Sequence, residues 1–386
     1  MRILTINCGS SSIKFKVFDD DNELISGLVD AISLENSKIE YKINSEKQVI
    51  NEKIANHSEG IKKILKILDE TIKLNTINAV AHRVVHGGEE FKETTIINDK
   101  VLNKLKELIP LAPLHNPLNI LGIEELSKAL KDVPQVAVFD TAFHSTIPKH
   151  AYLYGIPYKY YEEYEIRRFG FHGTSHRYVS SEALKLFPSI KKIISCHLGN
   201  GASITAIKDG RSIDTSMGFT PLEGLVMGTR CGDIDPSIVT FLMEKENLSI
   251  EQINRILNKE SGLLGLSGIS SDMRVLLENQ NKERIATTIK VFLYRVTKYI
   301  GAYAAALNGV DAIIFTGGMG ENNAYLRSEI LKSLTYLGIE IDKNANQQNK
   351  IVISSEKSKV KVLVIKTNEE LQMAREAKAL LEEIKN

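Results

Sequence analysis

The chain has 386 residues, which exceeds the size of one ordinary hydrophobic core and therefore predicts two domains. Its composition is 43% hydrophobic and 25% charged, as is typical of a soluble globular protein, and its formal net charge is +1. This balance excludes a global electrostatic preference for nucleic acid or for an anionic membrane, so any anion site must be built locally. No apolar run reaches the ~20 residues of a membrane span, and the first residues lack the pattern of a signal peptide.

The three cysteines, Cys8, Cys196 and Cys231, show no C-x-x-C spacing. Their odd number and their spacing are typical of reduced thiols in a cytoplasmic protein, not of a disulfide framework or a zinc site. We therefore expect a cytoplasmic protein with no membrane partner and no nucleic-acid partner.

The first predicted element is an apolar strand at residues 3–6, which leads into a small, hydroxyl-rich turn at residues 7–12. A second strand follows, in which apolar residues alternate with polar ones over residues 13–17. The backbone N–H groups of a tight turn can hold an anion, and the serines and Lys14 add donors and positive charge. Such a turn is most often a simple hairpin, and the chain contains no Walker A sequence.

Strands and helices then alternate, which predicts an α/β domain. Helical periodicity covers residues 60–74, and a strand at residues 79–85 ends at a His-Gly-Gly turn. Another helix begins near Pro117, and a continuous apolar strand at residues 136–139 ends at Asp140. Because the ligands of α/β sheets bind at the carboxyl ends of strands, Asp140 and the His-Gly-Gly turn are candidate site positions.

The same order of elements begins again about 190 positions later. Residues 192–210 are predicted to form a strand, a small-residue turn, a second strand and an acidic turn, as residues 3–20 do. Two copies of one α/β unit, each opening with such a hairpin, predict two facing domains with a cleft. Chance similarity between two hairpins is the alternative explanation.

The remaining third of the chain contains a long amphipathic helix at residues 285–307 and a strand at residues 312–315. We expect the glycine-rich residues 316–322 to form a loop that passes beneath a base or a ribose. The last elements are a strand at residues 360–365 and a terminal helix, for which Asn368 is the predicted N-cap.

Three further segments combine charged side chains with small residues: residues 81–88 with Arg83, residues 167–176 with His172, and residues 214–236 with Arg230. The last segment is neither polar enough to be disordered nor periodic enough to be regular, and ordered irregular segments of this length are usually functional. Singly, each arginine or histidine is as often a surface ion pair or a packing residue as a site residue. Together with two hairpins suited to phosphate, the three segments favour phosphate chemistry.

With these segments the chain resembles the acetate kinase (acetokinase) family, whose superfamily also contains sugar kinases, Hsp70 and actin. The resemblance covers nearly the whole length and is most specific at residues 7–15, 82–88, 139–144, 168–176, 197–203, 214–236, 315–322 and 367–370. It implies an α/β fold of two duplicated ribonuclease-H-like (actin-like ATPase) domains that face a central cleft. The expected N-terminal domain comprises residues 1–146 with a returning helix at 368–386. The expected C-terminal domain, residues 147–367, binds nucleotide and forms the dimer interface.

The resemblance further implies reversible phosphoryl transfer from ATP to acetate, giving acetyl phosphate and ADP, in a cytoplasmic homodimer that requires Mg²⁺, with Mn²⁺ as the alternative metal. Propionate kinase of the same family is one alternative, and a non-kinase ATPase module of the actin or Hsp70 type is another. The two arginine segments favour a kinase over such a module, which needs no clamp for an acid substrate. Butyrate kinases typically have a Pro-Gly-Ser-Thr-type first turn, where this chain has Cys-Gly-Ser-Ser.

By the same resemblance, Arg83 and Arg230 hold the acetate carboxylate and the transferring phosphoryl group, which His172 and Asn200 also contact. Two planar guanidinium groups match these anions, and phosphoryl transfer requires mainly placement and fixed positive potential. Asp140 is implied to be the essential acid. Because acetate is already ionised at pH 7, with a carboxyl pKa of about 4, its attack needs no general base. We therefore favour a role for Asp140 in orienting magnesium-bound water or an arginine.

The remaining residues that the resemblance implies bind metal, substrate and nucleotide. The magnesium site is expected to include Asn7 and Glu369. The pocket for the methyl group is expected to include Val85, Leu114 and Phe171. Phosphate and nucleotide contacts are expected from Ser10, Ser12, Lys14, His197, Leu198, Gly199, Asn200, Gly201, Asp272, Met273, Arg274, Gly318, Met319, Gly320, Glu321 and Asn322.

Overall fold

The structure is a computed structural model that describes residues 1–113 and 115–385. The polypeptide divides into two compact units, which we call the first unit (Met1–Phe143 with Asn368–Asn386) and the second unit (His144–Thr367). The predicted α/β class is confirmed, since each unit contains a β-sheet packed against helices. The division falls after Phe143, and the sequence-based domain boundary after residue 146 remains a prediction.

The strands are numbered in chain order. They are β1 (Arg2–Cys8), β2 (Ile13–Asp19), β3 (Asn22–Asp30), β4 (Lys38–Ile43), β5 (Glu46–Asn51), β6 (Ala79–Val84), β7 (Thr95–Ile96), β8 (Gln135–Phe139), β9 (Lys192–Leu198), β10 (Ala202–Lys208), β11 (Arg211–Thr215), β12 (Ala312–Thr316) and β13 (Lys361–Val364).

The α-helices are numbered in the same way. They are α1 (His57–Thr71), α2 (Asp99–Glu107), α3 (Asn116–Ala129), α4 (Lys149–Tyr152), α5 (Lys159–Tyr164), α6 (Gly173–Leu186), α7 (Ser237–Glu246), α8 (Ile250–Arg255), α9 (Gly262–Ser267), α10 (Met273–Glu278), α11 (Glu283–Ala306), α12 (Gly317–Asn322), α13 (Ala324–Lys332), α14 (Lys343–Gln347) and α15 (Glu369–Lys385). Short 3₁₀ turns cover Leu74–Thr76, Ile109–Leu111, Ala142–Thr146 and Thr335–Leu337, and a π-helical turn covers Ile256–Glu260. Within the described residues, no helix combines the length and the apolar character that crossing a membrane would require.

The two sheets repeat one topology. The first has the strand order β5-β4-β3-β2-β1-β6-β8-β7, and the second has the order β11-β10-β9-β12-β13. In each, three antiparallel strands joined by tight turns lie beside two strands that run parallel to the first of them. The order β3-β2-β1-β6-β8 therefore recurs as β11-β10-β9-β12-β13, which confirms the repeat predicted from residues 3–20 and 192–210.

Each repeat opens with a hairpin whose turn is closed by backbone hydrogen bonding. In the first hairpin, β1–β2, the N–H of Gly9 donates to the carbonyl of Ser12 at 2.8 Å. In the second hairpin, β9–β10, the N–H of Gly199 donates to the carbonyl of Gly201 at 3.1 Å. The inward side chains of the second strand, including Phe15, are fully buried, so the register of the first hairpin is fixed by its apolar face.

The C-terminal helix α15 packs on the first unit, where it contacts β1, β6 and β8. Arg375 pairs with Asp21 at 2.6 Å, and Lys378 pairs with Asp20 at 2.7 Å. The predicted N-cap is confirmed, because Oδ1 of Asn368 accepts the N–H of Leu371 at 3.2 Å. The two ion pairs hold the middle of α15 against the turn between β2 and β3.

The prediction of a loop at residues 316–322 is wrong, because residues 317–322 form the short helix α12. Gly317 enters this helix with φ +76°, a conformation that favours glycine, and a Cβ atom there would lie 2.8 Å from the carbonyl oxygen of Leu198. The carboxylate of Glu321 then accepts hydrogen bonds from the N–H of Gly317 at 2.9 Å and from Thr316 Oγ1 at 3.2 Å. These local hydrogen bonds stabilise a helical turn that could not be predicted from a sequence so rich in glycine.

Candidate active site

Arg83 and Asp140 form an ion pair at the carboxyl ends of the parallel strands β6 and β8. Arg83 Nε donates to Asp140 Oδ1 at 3.0 Å, and Nη2 donates to Oδ2. The third nitrogen, Nη1, donates to Oδ1 of Asn7 on β1 at 3.2 Å. The carboxylate of Asp140 is 1% exposed whereas the side chain of Arg83 is 21% exposed, so Asp140 holds the guanidinium while part of it remains open to a ligand.

Negative charge is concentrated around this pair. Burial, together with the charges of Asp140 and Glu370, raises the pKa of Glu369 to about 7, although Arg83 opposes the shift. Burial disfavours the charged guanidinium, but the charges of Asp140 and Glu369 outweigh it and raise the pKa of Arg83. In the part of the chain that the structure describes, no three His, Cys, Asp or Glu side chains form a ready metal cage.

The first hairpin contributes polar groups at the same strand ends. Lys14 pairs with the buried Glu370 of α15 at 2.5 Å, so its charge is already used within the unit. Ser10 is exposed and Ser12 is half-buried. A ligand at residues 10–14 would therefore meet backbone N–H and hydroxyl groups, because the charge of Lys14 is already paired.

Two asparagines of α3 support the end of β6. Asn119 accepts the N–H of Val85 at 3.1 Å and donates to the carbonyl of Cys8 at 3.0 Å. Asn116 bonds in the same way to the N–H and the carbonyl of His86, at 3.2 and 3.1 Å. Sequence reasoning missed both residues. Their signal was two amides one helical turn apart near the start of a helix.

The structure assigns the predicted methyl-pocket residues to different units. Val85 is buried in the first unit, and Phe171 is buried in the second. Leu114 lies outside the described residues, so the third member of the predicted pocket stays a prediction.

His172 occupies an unusual backbone position in the second unit. It is the N-cap of α6 with φ 56° and ψ 22°, a left-handed conformation that is uncommon for a residue other than glycine. Its ring stacks on that of His197, with 4.4 Å separating the centroids, and its Nδ1 lies 3.0 Å from Oγ of Ser203. Strained residues that are held this firmly are typical of functional sites.

Arg230 and His172 both reach the turn of the second hairpin. A Cβ atom built on Gly201 would lie 3.4 Å from Nε2 of His172 and 3.7 Å from Nη1 of Arg230. The carbonyl of Asn200 in the same turn accepts the N–H of Gly228 at 2.9 Å. The turn thus holds Asn200, His172 and Arg230 within one small region of the second unit.

Arg230 differs from Arg83 in its electrostatic environment. Its Nη1 approaches the carbonyl of Pro221 at 3.4 Å and the sulfur of Met227 at 3.8 Å. Across residues 1–113 and 115–385, no carboxylate lies within ion-pair distance of it, and burial lowers its pKa. The site therefore contains a half-buried positive charge that an anion would stabilise.

The segment that carries Arg230 is irregular and ordered, as the sequence indicated. Arg168 Nη1 donates to the three carbonyls of residues 215–217, at 2.8 to 3.2 Å, and its Nη2 pairs with Glu223 at 2.7 Å. Asp233 accepts the N–H of Gly224 at 2.8 Å. These internal contacts fix the segment without regular secondary structure.

A cavity of about 640 Å³ lies beside this group in the second unit. Its lining includes the predicted nucleotide contacts Gly199, Asn200, Asp272, Met273, Arg274, Gly318, Met319 and Asn322, together with Ser271 and Asn323, which sequence reasoning missed. Other predicted contacts lie outside this lining: Leu198 and Gly320 are buried, His197 stacks on His172, Gly201 lies beneath His172, and Glu321 closes α12.

Comparison with known proteins gives a consistent result. The model of the acetokinase family matches residues 2–375. The curated acetate kinase of Thermotoga maritima is 52% identical over an alignment of 401 positions that covers 100% of both chains. The crystal structure of Porphyromonas gingivalis acetate kinase superimposes with a TM-score of 0.92 at 42% identity, covering 98% of this chain and 99% of that one.

A propionate kinase from Francisella tularensis is equally similar in structure, with a TM-score of 0.93 at 43% identity and coverage of 97% of this chain and 98% of that one. The match to the family model spans nearly the whole sequence, and the curated relative shares half of its residues. The chain belongs to the acetokinase family.

Proposed function

We propose that this protein transfers the terminal phosphoryl group of ATP reversibly to acetate, with acetyl phosphate and ADP as products. Membership of the acetokinase family makes it a kinase whose phosphoryl acceptor is a carboxylate. The observation that carries the proposal is Arg230, whose half-buried guanidinium has no carboxylate within ion-pair distance among the described residues. A transferring phosphoryl group supplies the negative charge that this environment lacks.

In the second unit, Arg230, His172 and Asn200 are proposed to hold the phosphoryl group during transfer. The negative charge of that group spreads over three equatorial oxygens in the transition state, so donors that are already in place lower the barrier. The turn of the second hairpin supports this role, because the side chains of His172 and Arg230 both lie next to Gly201 in that turn. The nucleotide is proposed to occupy the adjoining cavity of about 640 Å³.

Arg83 of the first unit is proposed to bind the acetate carboxylate. Val85, Phe171 and Leu114 are proposed to contact its methyl group. An acetate oxygen attacks the terminal phosphorus, the bond from phosphorus to the bridging oxygen breaks, and ADP leaves with the electron pair. No proton is transferred in this step, since acetate is ionised at neutral pH. The bidentate pair of Asp140 with Arg83 supports a role for Asp140 in orienting the arginine.

The residues around Arg83 fit a divalent cation. Asn7 and Glu369 supply oxygen donors, and the raised pKa of Glu369 reflects burial and a surplus of nearby carboxylates that a cation would offset. Mg²⁺ usually binds through few protein groups and retains several waters, which agrees with the lack of a protein cage among the described residues. We propose that Asn7 and Glu369 hold Mg²⁺, or Mn²⁺ in its place, which when bound offsets phosphate charge.

We further propose a cytoplasmic homodimer that associates through α7. The first seven residues of this helix include five apolar ones, the helix has no buried residue, and Phe241 on it is 62% exposed. An apolar helix without intramolecular burial is typical of an interface. A second copy of the chain is the proposed occupant, because a net charge of +1 opposes self-association only weakly. The free, buried thiols of Cys8 and Cys196 agree with a reducing compartment.

The proposed reaction is tested by incubating the protein with Mg²⁺, ATP and acetate and trapping acyl phosphate with hydroxylamine. We expect the hydroxamate to form only when acetate is present. The same assay with propionate ranks the two substrates, which one methylene separates by about 10- to 200-fold at most. ATP turnover that is indifferent to either acid, without trapped product, would show that the chain is not a carboxylate kinase.

The role of Arg230 predicts that Arg230→Ala lowers kcat by about 10³-fold or more, because charge stabilisation in the transition state is lost. Arg230→Lys should recover little, since a point charge cannot reproduce the planar fork. Arg255→Ala is the matched control, because Arg255 is an exposed arginine of the same unit that pairs with Glu260. An Arg230→Lys variant with normal kcat would contradict this assignment.

The orienting role of Asp140 predicts that Asp140→Asn lowers kcat/KM for acetate by about 10- to 100-fold through misplacement of Arg83. The variant should also need more Mg²⁺, while the shape of its pH profile should match that of the wild type. Profiles of kcat against pH at several magnesium concentrations measure both effects. A missing acidic limb with an unchanged magnesium requirement would instead identify Asp140 as a proton-transfer group.

The proposed interface predicts that Phe241→Asp raises the dimer dissociation constant by about tenfold or more, because a charge replaces an apolar contact. Sedimentation velocity over a range of concentrations measures it. Tyr336→Asp is the matched control, since Tyr336 is 69% exposed in the same unit and lies outside α7. A monomeric wild-type protein, or equal effects of both substitutions, would refute the assignment of α7.

A further inference from the structure

Four buried or half-buried side chains form a continuous hydrogen-bonded network that ends at His172; we call it the serine–histidine network. Nδ1 of His172 lies 3.0 Å from Oγ of Ser203, and the same oxygen lies 2.7 Å from Nε2 of His176. Nδ1 of His176 lies 2.9 Å from Oγ of Ser195. Ser195, Ser203 and His176 are fully buried within the second unit. The network therefore connects the core of the sheet to the candidate active site.

The direction of these hydrogen bonds follows from the hydroxyl of Ser195. Among the described residues, its only hydrogen-bond partner is Nδ1 of His176. A buried hydroxyl needs an acceptor for its hydrogen, so Ser195 donates to His176. The hydrogen of the His176 ring then resides on Nε2 and is donated to Ser203.

The hydroxyl of Ser203 completes the direction. Since it accepts from His176, its own hydrogen is free to be donated to Nδ1 of His172. The opposite direction would make Ser195 an acceptor and leave its hydrogen without a partner in the described structure. Burial and the charges of neighbouring histidines hold the pKa of His176 well below its usual value, so this ring stays neutral and can both accept and donate.

We propose that Ser195, His176 and Ser203 fix His172 in the tautomer whose Nε2 carries the hydrogen, so that its ring donates to the phosphoryl group. This inference rests on the proposed function and adds three positioning residues to it. Nε2 is the nitrogen that faces Gly201 in the turn of the second hairpin, which the guanidinium of Arg230 also approaches. The other tautomer would point a lone pair at an anion and would oppose the transition state.

Because the backbone of His172 is left-handed, the serine–histidine network also fixes the orientation of its ring. A residue at φ 56° has few rotamers that also satisfy a fixed partner, so the bond to Ser203 holds the ring at one angle. Stacking on His197 restricts the ring from its face. The hydrogen bond to Ser203 thus sets the tautomer, and together with stacking on His197 it sets the orientation of the ring.

The tautomer can be read in the wild-type protein labelled with ¹⁵N in its nine histidine rings. Two-bond ¹H–¹⁵N correlation distinguishes protonated from unprotonated ring nitrogens, and loss of one spin system in His172→Gln assigns His172. We expect an unprotonated Nδ1 and a protonated Nε2. A hydrogen on Nδ1, or on both nitrogens, would overturn the inference. This spectrum requires no other variant, so it decides the matter even if substitutions in the core fail to fold.

Kinetics of Ser203→Ala test the consequence for catalysis. We expect kcat to fall by about 10- to 100-fold with little change in the KM for ATP or for acetate. The Nδ1 signal of His172 should also shift, because this nitrogen loses its hydrogen-bond donor. Thr205→Val is the matched control, since it removes another fully buried hydroxyl from the same strand. That hydroxyl bonds to Thr215 and, among the described residues, to no histidine. Its kcat should stay within about twofold of the wild type.

A Ser203→Ala variant with normal kcat would refute the positioning role. Equal losses in both variants would assign the effect to packing of β10 and would refute it as well. Failure of the wild-type protein to form acyl phosphate would refute the proposed function, while the spectrum would still report the tautomer. The two conclusions can therefore fail separately.

Discussion

The candidate site of the second unit is built around the half-buried charge of Arg230, which has no carboxylate within ion-pair distance among the described residues. Transferring a guanidinium from water into a half-buried position is unfavourable unless a partner charge accompanies it. Arg83 has such a partner in Asp140, whereas Arg230 has none among the described residues, and burial lowers its pKa. The same residue type is thus held in two electrostatic states. Asp140 stabilises the charge of Arg83 within its unit, whereas a bound anion would stabilise the charge of Arg230.

The irregular segment around Arg230 is organised to maintain this unfavourable position. Arg168 donates hydrogen bonds to three successive carbonyls. The carboxylate of Asp233 accepts the N–H of Gly224 and, at 2.7 Å, the hydroxyl of Tyr299 on α11. Gly262 has φ +64° and lies against the backbone of Arg230. Because these contacts are distributed over several elements, the loop cannot relax to bring a carboxylate to Arg230 without breaking some of them. The segment is therefore held in one arrangement, as the proposed placement of a phosphoryl group requires.

Local signals in the sequence explain what could be predicted and what could not. The hairpins, the strand that ends at Asp140 and the N-cap Asn368 follow from patterns within a few residues, and all are present. The helix α12 was missed because its glycine content indicates a loop. The helix is stabilised by one side chain, Glu321, and a single residue leaves no pattern in the sequence. Pairings over long distances were invisible. Ser203 meets His172 across 31 positions, and Asn119 meets Cys8 across 111. No periodicity encodes such contacts, since they arise only when the sheets assemble.

The return of α15 to the first unit affects how the protein is made. On the ribosome, N-terminal domains usually fold as soon as they emerge. Here the sheet of residues 2–139 lacks one of its covering helices, and Lys14 lacks Glu370, until the whole second unit has been synthesised. The first unit must therefore wait, partly uncovered, while the later one folds. A chain that stops short of residue 369 also lacks α15, so a truncated translation product would leave one face of the first sheet uncovered.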